Sequence, residues 1–221
     1  MRVRRAGTEC RAADTTRRLR GLDWLNFLVA NFQTGFGPFV SVYLTGAGWT
    51  QGAIGAALSA GTIASMVSQI PAGALVDGMR SKRTAAAGAI AAIAASALAI
   101  ALWPNFLAIT AAEVVHSFAS AVLGPAIAAI TLILVDPAGF GERLGRNARY
   151  AAIGNAVAAG VMGACGYYLT DRAVFLFAAA LGIPALLALQ PLREADSTSL
   201  RPNRVASART TGARATARGI F

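Results

Sequence analysis

Six long apolar stretches constrain this sequence more than any other feature. Each contains at most one charged side chain, and they cover residues 22–44, 51–76, 84–103, 106–135, 150–169 and 173–192. An α-helix needs about 20 apolar residues to cross the hydrocarbon core of a bilayer. We therefore expect an all-α, polytopic transmembrane bundle with six spans in residues 21–193. We also expect Gly124-Pro125 to interrupt the fourth span. The third span is nearly all Ala, Ile and Leu, and we expect it to be peripheral or to face lipid.

The positive charges mark one side of this predicted bundle. Of 20 Lys and Arg residues, 19 lie in residues 1–20, 80–83, 143–149 and 193–218, and Arg172 is the exception. Two spans separate each cluster from the next, so all four clusters fall on the same side. The positive-inside rule assigns that side to the cytoplasm. Nucleic-acid binding through a basic face is the competing explanation, but charges that follow the topology favour a membrane protein without a nucleic-acid partner.

Both termini are expected to be basic, disordered and cytoplasmic. Residues 1–20 are rich in Arg and polar, so we interpret them as a disordered tail. The apolar stretch that follows them is longer than that of a cleaved signal peptide. Residues 194–221 form a second tail of low complexity with no further apolar stretch. The prediction is a multi-pass protein of the inner (plasma) membrane.

The loop after the second apolar stretch combines one acid with three cations. Residues 73–83 read Gly-Ala-Leu-Val-Asp-Gly-Met-Arg-Ser-Lys-Arg, and Gly73 would let the helix end approach a neighbour closely. An ordinary basic loop would explain the cations but not Asp77. The loop resembles the one between helices 2 and 3 of the major facilitator superfamily, whose pattern is Gly-x-Leu-Ala-Asp-Arg-x-Gly-Arg-Lys-x. Matching residues are Gly73, Leu75, Asp77 and Lys82, whereas Arg80 replaces a family glycine.

This resemblance implies an architecture and a gating role. The chain would correspond to the N-terminal six-helix half of such a transporter. Its gating motif would consist of Gly73, Leu75, Asp77, Arg80, Lys82 and Arg83. In the family, the acid meets cations and the positive end of a helix from the other half, which latches the outward-open state. We therefore expect a truncated or frameshifted chain that a missing C-terminal half, or a second copy in a homodimer, would complete.

Internal similarity supports two related three-helix units. Residues 53–61 resemble residues 152–160, and Gly37-Pro38 resembles Gly124-Pro125. A unit with an odd number of spans is inverted in its second copy, as described for each half of these transporters. We therefore expect a 3+3 inverted repeat.

The fourth apolar stretch carries the principal candidate site. Its polar residues Glu113, His116, Ser117 and Ser120 fall on one face of the predicted helix together with Gly124. Ionisable groups inside a membrane are costly and normally face a bundle interior or a water-filled cavity. The functional interpretation is a substrate or proton path. The structural alternative is a buried polar patch that only ties this helix to a neighbour.

Three amide side chains are weaker candidates. For Asn31 and Asn155, a hydrogen bond between helices is as good an interpretation as contact with a substrate, and Gln69 is a weaker candidate still. In the first stretch, Asn31 falls on one side of the helical wheel and Gln33 on the other. The sequence leaves open which of these sides lines a cavity.

The sequence does not predict an enzyme. It has one His and contains no Ser/His/Asp or Cys/His set and no metal-ligand spacing, so we expect no catalytic residue, metal or cofactor. The predicted function is proton-coupled transport of a small solute, by a chain that is inactive alone. Its partners would be membrane lipid and a small-molecule substrate. The alternative is a membrane-embedded subunit or regulatory interaction protein without transport activity.

Overall fold

The computed structural model describes the backbone of residues 2–192 and the side chains of residues 14–192. This part of the chain contains seven α-helices: α1 (Arg2–Gln33), α2 (Pro38–Gly46), α3 (Gln51–Gly78), α4 (Lys82–Leu102), α5 (Phe106–Leu134), α6 (Phe140–Tyr168) and α7 (Asp171–Ala188). Single 3-10 turns occupy Pro137–Gly139 and Gln190–Leu192. No strand occurs within residues 2–192, which confirms the all-α prediction. The tail predicted over residues 194–221 lies outside the described residues.

Four helices begin at a side chain that caps their first free amide. A hydroxyl or amide oxygen at such a position accepts a hydrogen bond from an N–H that the helix itself cannot satisfy. The caps are Thr50 before α3, Ser81 before α4, Asn105 before α5 and Thr170 before α7. These local signals fix where the chain re-enters the bundle.

The first predicted span is divided, which corrects the expectation of one continuous helix. Helix α1 ends at Gln33 and α2 begins at Pro38, and Gly37 between them has a φ of +74°. Pro38 has no N–H to donate into a preceding helical turn, and its ring restricts the residue before it. Gly37 can adopt the left-handed conformation that this junction needs.

Residues 2–20 are helical, so the prediction of a disordered N-terminal tail is wrong for this segment. Extending an existing helix costs little compared with nucleating one, and the apolar part of α1 is already held by the bundle. Ala, Arg and Leu also have high helix propensity. Within the extension, Asp14 and Arg18 form an ion pair of 2.5 Å one helical turn apart.

Two further boundaries differ from the sequence prediction. Helix α5 continues through Gly124-Pro125. The proline removes one backbone hydrogen bond, and packing against neighbouring helices compensates for this loss. Helix α6 begins at Phe140, about ten residues before the predicted fifth span. The cations expected in an inner loop therefore lie largely on a helix.

The core is built by close contacts between small residues. Helix α5 packs against α3 and α4, α1 packs against α6 and α7, and α4 packs against α7. A Cβ at Gly154 would lie 2.3 Å from the carbonyl oxygen of Phe27, and one at Gly182 would lie 2.9 Å from the Cβ of Ala94. Such approaches drive helix association in lipid. They also bury much of α4, which corrects the expectation that it faces lipid.

Four helical segments are long and apolar enough to cross a membrane: Gln51–Gly78, Lys82–Leu102, Phe106–Leu134 and Asp171–Leu192. The other two predicted spans are less clear by length and composition. The first is shared between α1 and α2, and α6 is rich in glycine and carries Asn155. The chain is thus an integral, multi-pass membrane protein.

Candidate functional site

A polar cavity opens between α1, α3 and α5. Its volume is about 480 Å³, and its lining residues are Gln33, Phe36, Gly37, Leu58, Gly61, Thr62, Ser65, Glu113, His116 and Ser117. Three of the predicted site residues, Glu113, His116 and Ser117, are among them. The structure therefore brings the core of the predicted polar face into one cavity.

Glu113 is the acidic residue of this lining. Its side chain is 5% exposed, and its Oε1 is buried without a hydrogen-bond partner among the described residues. The carboxyl group lies directly over α3, since a Cβ built at Gly61 would be 3.1 Å from Oε2. Gly61 thus makes the space that Glu113 occupies. An uncompensated buried carboxyl is costly, and such groups in membrane proteins are commonly functional.

His116 lies one helical turn after Glu113 and is half-buried. Its imidazole stacks on the ring of Phe36, with 3.6 Å between ring centroids and 10° between ring planes. Its Nδ1 is buried and has no hydrogen-bond partner within the described part of the chain. Among the same residues, no hydrogen bond or ion pair joins Glu113 to His116. The two groups share the cavity without being paired.

The remaining predicted path residues lie around the cavity or away from it. Ser120 accepts a hydrogen bond of 3.1 Å from Gln33 Nε2, so it lies one contact beyond the lining. Asn31 is 4% exposed, and its Oδ1 lacks a hydrogen-bond partner in residues 14–192. Asn155 Oδ1 lies 3.0 Å from the hydroxyl oxygen of Thr34, and its side chain is exposed. Gln69 is exposed on α3 and does not line the cavity.

Several lining residues were not predicted. The helical wheel placed Gln33 and Asn31 on opposite sides of the first helix and did not show which side lines a cavity. Gln33 lines the cavity, and Asn31 does not. Thr62 and Ser65 from α3 were detectable as polar residues one turn apart in an apolar helix. Phe36 and Gly61 carried no signal of their own, because their role depends on which helix lies opposite.

Two of the three cations near the junction of α3 and α4 bind backbone carbonyl groups. Lys82 Nζ donates to the carbonyl oxygens of Val76 at 2.7 Å, Met79 at 2.9 Å and Asp77 at 3.0 Å. It thereby satisfies the free carbonyls at the end of α3. Arg83 Nε donates a hydrogen bond of 2.9 Å to the carbonyl oxygen of Leu189, the residue that follows α7. Arg80 is exposed and has no described partner.

Asp77, near the end of α3, is also exposed, and its carboxylate has no partner among the residues described. A Cβ built at Gly73 would meet nothing within 4 Å. Leu75 is 46% exposed. The predicted gating residues Gly73, Leu75 and Asp77 therefore present a free surface, whereas Lys82 and Arg83 hold helix ends of this bundle.

An ion-pair cluster at the same end of the bundle was missed by the sequence analysis. Asp23 on α1 is 2% exposed and accepts hydrogen bonds from Arg143 at 2.6 Å and from Arg146 at 2.7 Å. Arg143 also donates a hydrogen bond of 3.1 Å to the carbonyl oxygen of Leu19. The hydrogen bond to Asp23, followed by its negative charge, raises the pKa of Arg146. The one available signal was an acid at the start of an apolar stretch.

Comparison with known proteins adds a family match and structural neighbours. The family model described as Major Facilitator Superfamily matches residues 22–219. The uncharacterized MFS-type transporters MT2531 and Rv2456c, from Mycobacterium tuberculosis strains CDC 1551 / Oshkosh and ATCC 25618 / H37Rv, are each 39% identical over 170 residues. The match covers 76% of this chain and 41% of each relative, so the chain spans about two fifths of their length.

Solved structures of a peptide transporter POT mutant share this fold. The complex with sulfate has a TM-score of 0.68 at 17% identity, covering 92% of this chain and 44% of that chain. The complex with alafosfalin has a TM-score of 0.66 at 18% identity, covering 92% and 45%. At these identities the likeness describes the fold alone.

Proposed function

This chain belongs to the major facilitator superfamily, and we propose that it forms one six-span half of a secondary transporter for a small solute. The family consists of membrane transport proteins, which in general are not enzymes. The observation that carries the proposal is Glu113, a buried carboxyl group with a free Oε1 at the wall of a polar cavity of about 480 Å³. Inside a membrane such a group points to a solute or ion path.

Six spans in a 3+3 inverted repeat are part of this proposal. We take α1 with α2, α3 and α4 as the first unit, and α5, α6 and α7 as the second. The pairing of helices is consistent with this division, because α3 and α4 pack on α5 much as α6 and α7 pack on α1. In the proposed repeat, α1 with α2 corresponds to α5, α3 to α6, and α4 to α7, so each of these contacts has a counterpart in the other unit. In secondary transporters built from internal repeats, solute sites lie at an interface between repeats near the middle of the bilayer.

A second six-helix body would complete the proposed transporter. Alternating access needs two bundles that rock around a shared site. The free Asp77, the open space at Gly73 and the open cavity all leave room for one. That body would be either the C-terminal half of a longer transporter or a second copy of this chain. The substrate is a small solute that reaches Glu113.

Coupling to protons is proposed for the same cavity. Glu113 and His116 are the titratable groups of its lining, so a proton taken up by either changes the charge that a solute meets. A positioned acid and imidazole would let solute and proton compete for or share the site. We further propose insertion in the inner (plasma) membrane with both termini cytoplasmic. Reporter fusions after Trp49 and Arg83 test this topology, and a cytoplasmic signal after Trp49 would contradict it.

Solute-driven proton movement tests the transport function. The chain is reconstituted into vesicles that contain a pH-sensitive dye, alone and joined to the second half of its relative MT2531, and a panel of small solutes is added. We expect a solute-dependent pH change in the joined protein, its loss in Glu113→Gln, and its retention in Glu142→Gln, which changes an exposed carboxyl outside the cavity. Undiminished flux in Glu113→Gln would return the Glu113 and His116 face to a packing role.

A further inference from the structure

The break between α1 and α2 lies at the cavity. Residues 34–37 leave the helix, and Gly37 adopts φ +74° and ψ −101° immediately before Pro38. The amide of Phe36 donates to the carbonyl oxygen of Gln33 at 3.2 Å, which turns the chain sharply. An amino acid with a side chain would be strained in the backbone conformation of Gly37. The break is thus a defined junction in the first span.

This junction places an aromatic ring on the chain's single histidine. Phe36 is 5% exposed, and its ring lies parallel to the imidazole of His116 at a centroid distance of 3.6 Å. Phe36 belongs to the junction itself and has left the regular helix. The position of its ring therefore depends on the bend between α1 and α2.

Hydrogen bonding does not orient the imidazole within the described part of the chain. His116 Nδ1 is buried without a partner, and no bond to its other nitrogen is found there. The polar lining residues contributed by the other helices are Gln33 of α1 and Thr62 and Ser65 of α3, all uncharged. Glu113 of its own helix is the other titratable group in the lining. Stacking and packing, with Phe36 as the principal contact, must therefore hold the ring.

The junction is also fixed on its opposite side. A Cβ built at Gly35 would lie 3.2 Å from the Cβ of Ala178 on α7 and 3.4 Å from Met162 on α6. Helix α2, which follows the junction, carries Tyr43 against Phe175 of α7 at 5.3 Å between centroids. Movement of α2 against α7 would consequently displace the residues that flank Phe36.

We propose that Phe36 is a positioning residue for His116, and that it couples the bend at Gly37 to the direction in which the imidazole faces the cavity. The inference rests on the proposed function in one respect, namely that His116 belongs to the solute or proton path. Movement of α2 would then change how the cavity presents His116, without any direct contact between α2 and a bound solute.

A single histidine makes the coupling directly measurable. Chain labelled at histidine with ¹³C and ¹⁵N gives one imidazole by NMR in detergent micelles. A stacked aromatic ring shields imidazole protons, so we expect upfield resonances in the unmodified chain, a downfield move in Phe36→Leu, and recovery in Phe36→Tyr. Phe32→Leu is the matched control, because Phe32 is 1% exposed on α1 and makes no ring contact with His116 in the described structure. Equal displacement in Phe32→Leu and Phe36→Leu would overturn the inference.

A pair of glycines tests the coupling through the backbone. Gly37 and Gly48 have φ of +74° and +79°, and a Cβ at either would meet nothing within 4 Å. Alanine therefore strains the backbone at both positions without a steric clash, but only Gly37 adjoins Phe36. We expect Gly37→Ala to move the His116 resonances and to change the rate at which diethyl pyrocarbonate modifies the imidazole. Gly48→Ala should leave both unchanged.

Unchanged His116 signals in both Phe36→Leu and Gly37→Ala would overturn the inference. These readouts do not need solute flux. A chain that shows the expected shifts but no solute-driven proton movement when joined to a second half would contradict the proposed function and leave the coupling intact.

Discussion

Asp23 on α1 and Arg143 on α6 form a salt bridge of 2.6 Å in which the side chains are 3% and 6% exposed. Arg146, which is 52% exposed, pairs with the second carboxylate oxygen at 2.7 Å. One buried anion therefore meets two cations, and this contact joins α1 to the start of α6. Removing one partner of a buried pair is costly, because the charge that remains is left without compensation.

Asp23→Asn should strongly destabilise the bundle. The substitution keeps the shape of the side chain but leaves the buried Arg143 without a counter-charge, at an expected cost of about 3–5 kcal/mol. Arg146→Gln is the matched control, and it should destabilise the bundle much less, since that guanidinium is half exposed and Asp23 keeps Arg143 as a partner. Denaturant or thermal unfolding in mild detergent, followed by far-UV circular dichroism, measures both. A smaller loss for Asp23→Asn than for Arg146→Gln would contradict the assignment.

Gly154→Ala should separate α1 from α6. The added Cβ would lie 2.3 Å from the backbone carbonyl oxygen of Phe27, and a backbone atom cannot move aside as a side chain can. We expect overpacking to cost about 1–3 kcal/mol, against the roughly 0.5–1 kcal/mol that alanine gains over glycine in a helix, so the net effect is destabilising. Gly160→Ala on the same helix meets nothing within 4 Å and should be neutral or stabilising. Equal melting temperatures for the two variants would refute this packing.

Periodicity and charge were sufficient to predict the helical membrane bundle and the site helix. Glu113, His116 and Ser117 share a face because residues three and four apart on a helix are neighbours, and this relation needs no tertiary information. The cluster at Asp23 could not be predicted, since its partner Arg143 lies 120 residues away and the choice among many arginines depends on packing. For the same reason the sequence did not select Gln33 over Asn31.

The backbone of the two Gly-Pro pairs shows a second limit of the sequence. Gly37-Pro38 lies at the start of α2, after the break that follows Gln33, whereas Gly124-Pro125 lies inside a continuous α5. Neighbouring helices decide whether a proline breaks or only interrupts a hydrogen-bond ladder. The apparent repeat has a similar weakness. It aligns the buried Gly61 with Gly160, which is exposed, so the similarity of these Ala- and Gly-rich segments does not give the register of the two units.

Cysteine labelling distinguishes a solute cavity from a packed polar patch. In a background without Cys10 and Cys165, we expect Ser117→Cys to react with a small water-soluble thiol reagent, because Ser117 lines the cavity. Ser120→Cys should react more slowly, since that position lies behind Gln33. Ser96→Cys is the control: it is 3% exposed in α4, is not part of the cavity lining, and should stay protected. Protection at both Ser117 and Ser120 would favour the membrane-embedded subunit or regulatory protein.

The chain by itself should not complete a transport cycle. Alternating access requires a second bundle to move against, and the cavity at Glu113 is open in this chain. Asp77 would likewise lack the helix end that it is expected to meet. The oligomeric state in mild detergent, measured by light scattering, and solute-driven proton movement in vesicles check this together. We expect an inactive monomer that gains activity when joined to a second half, whereas a stable dimer with coupled flux would show that two copies suffice.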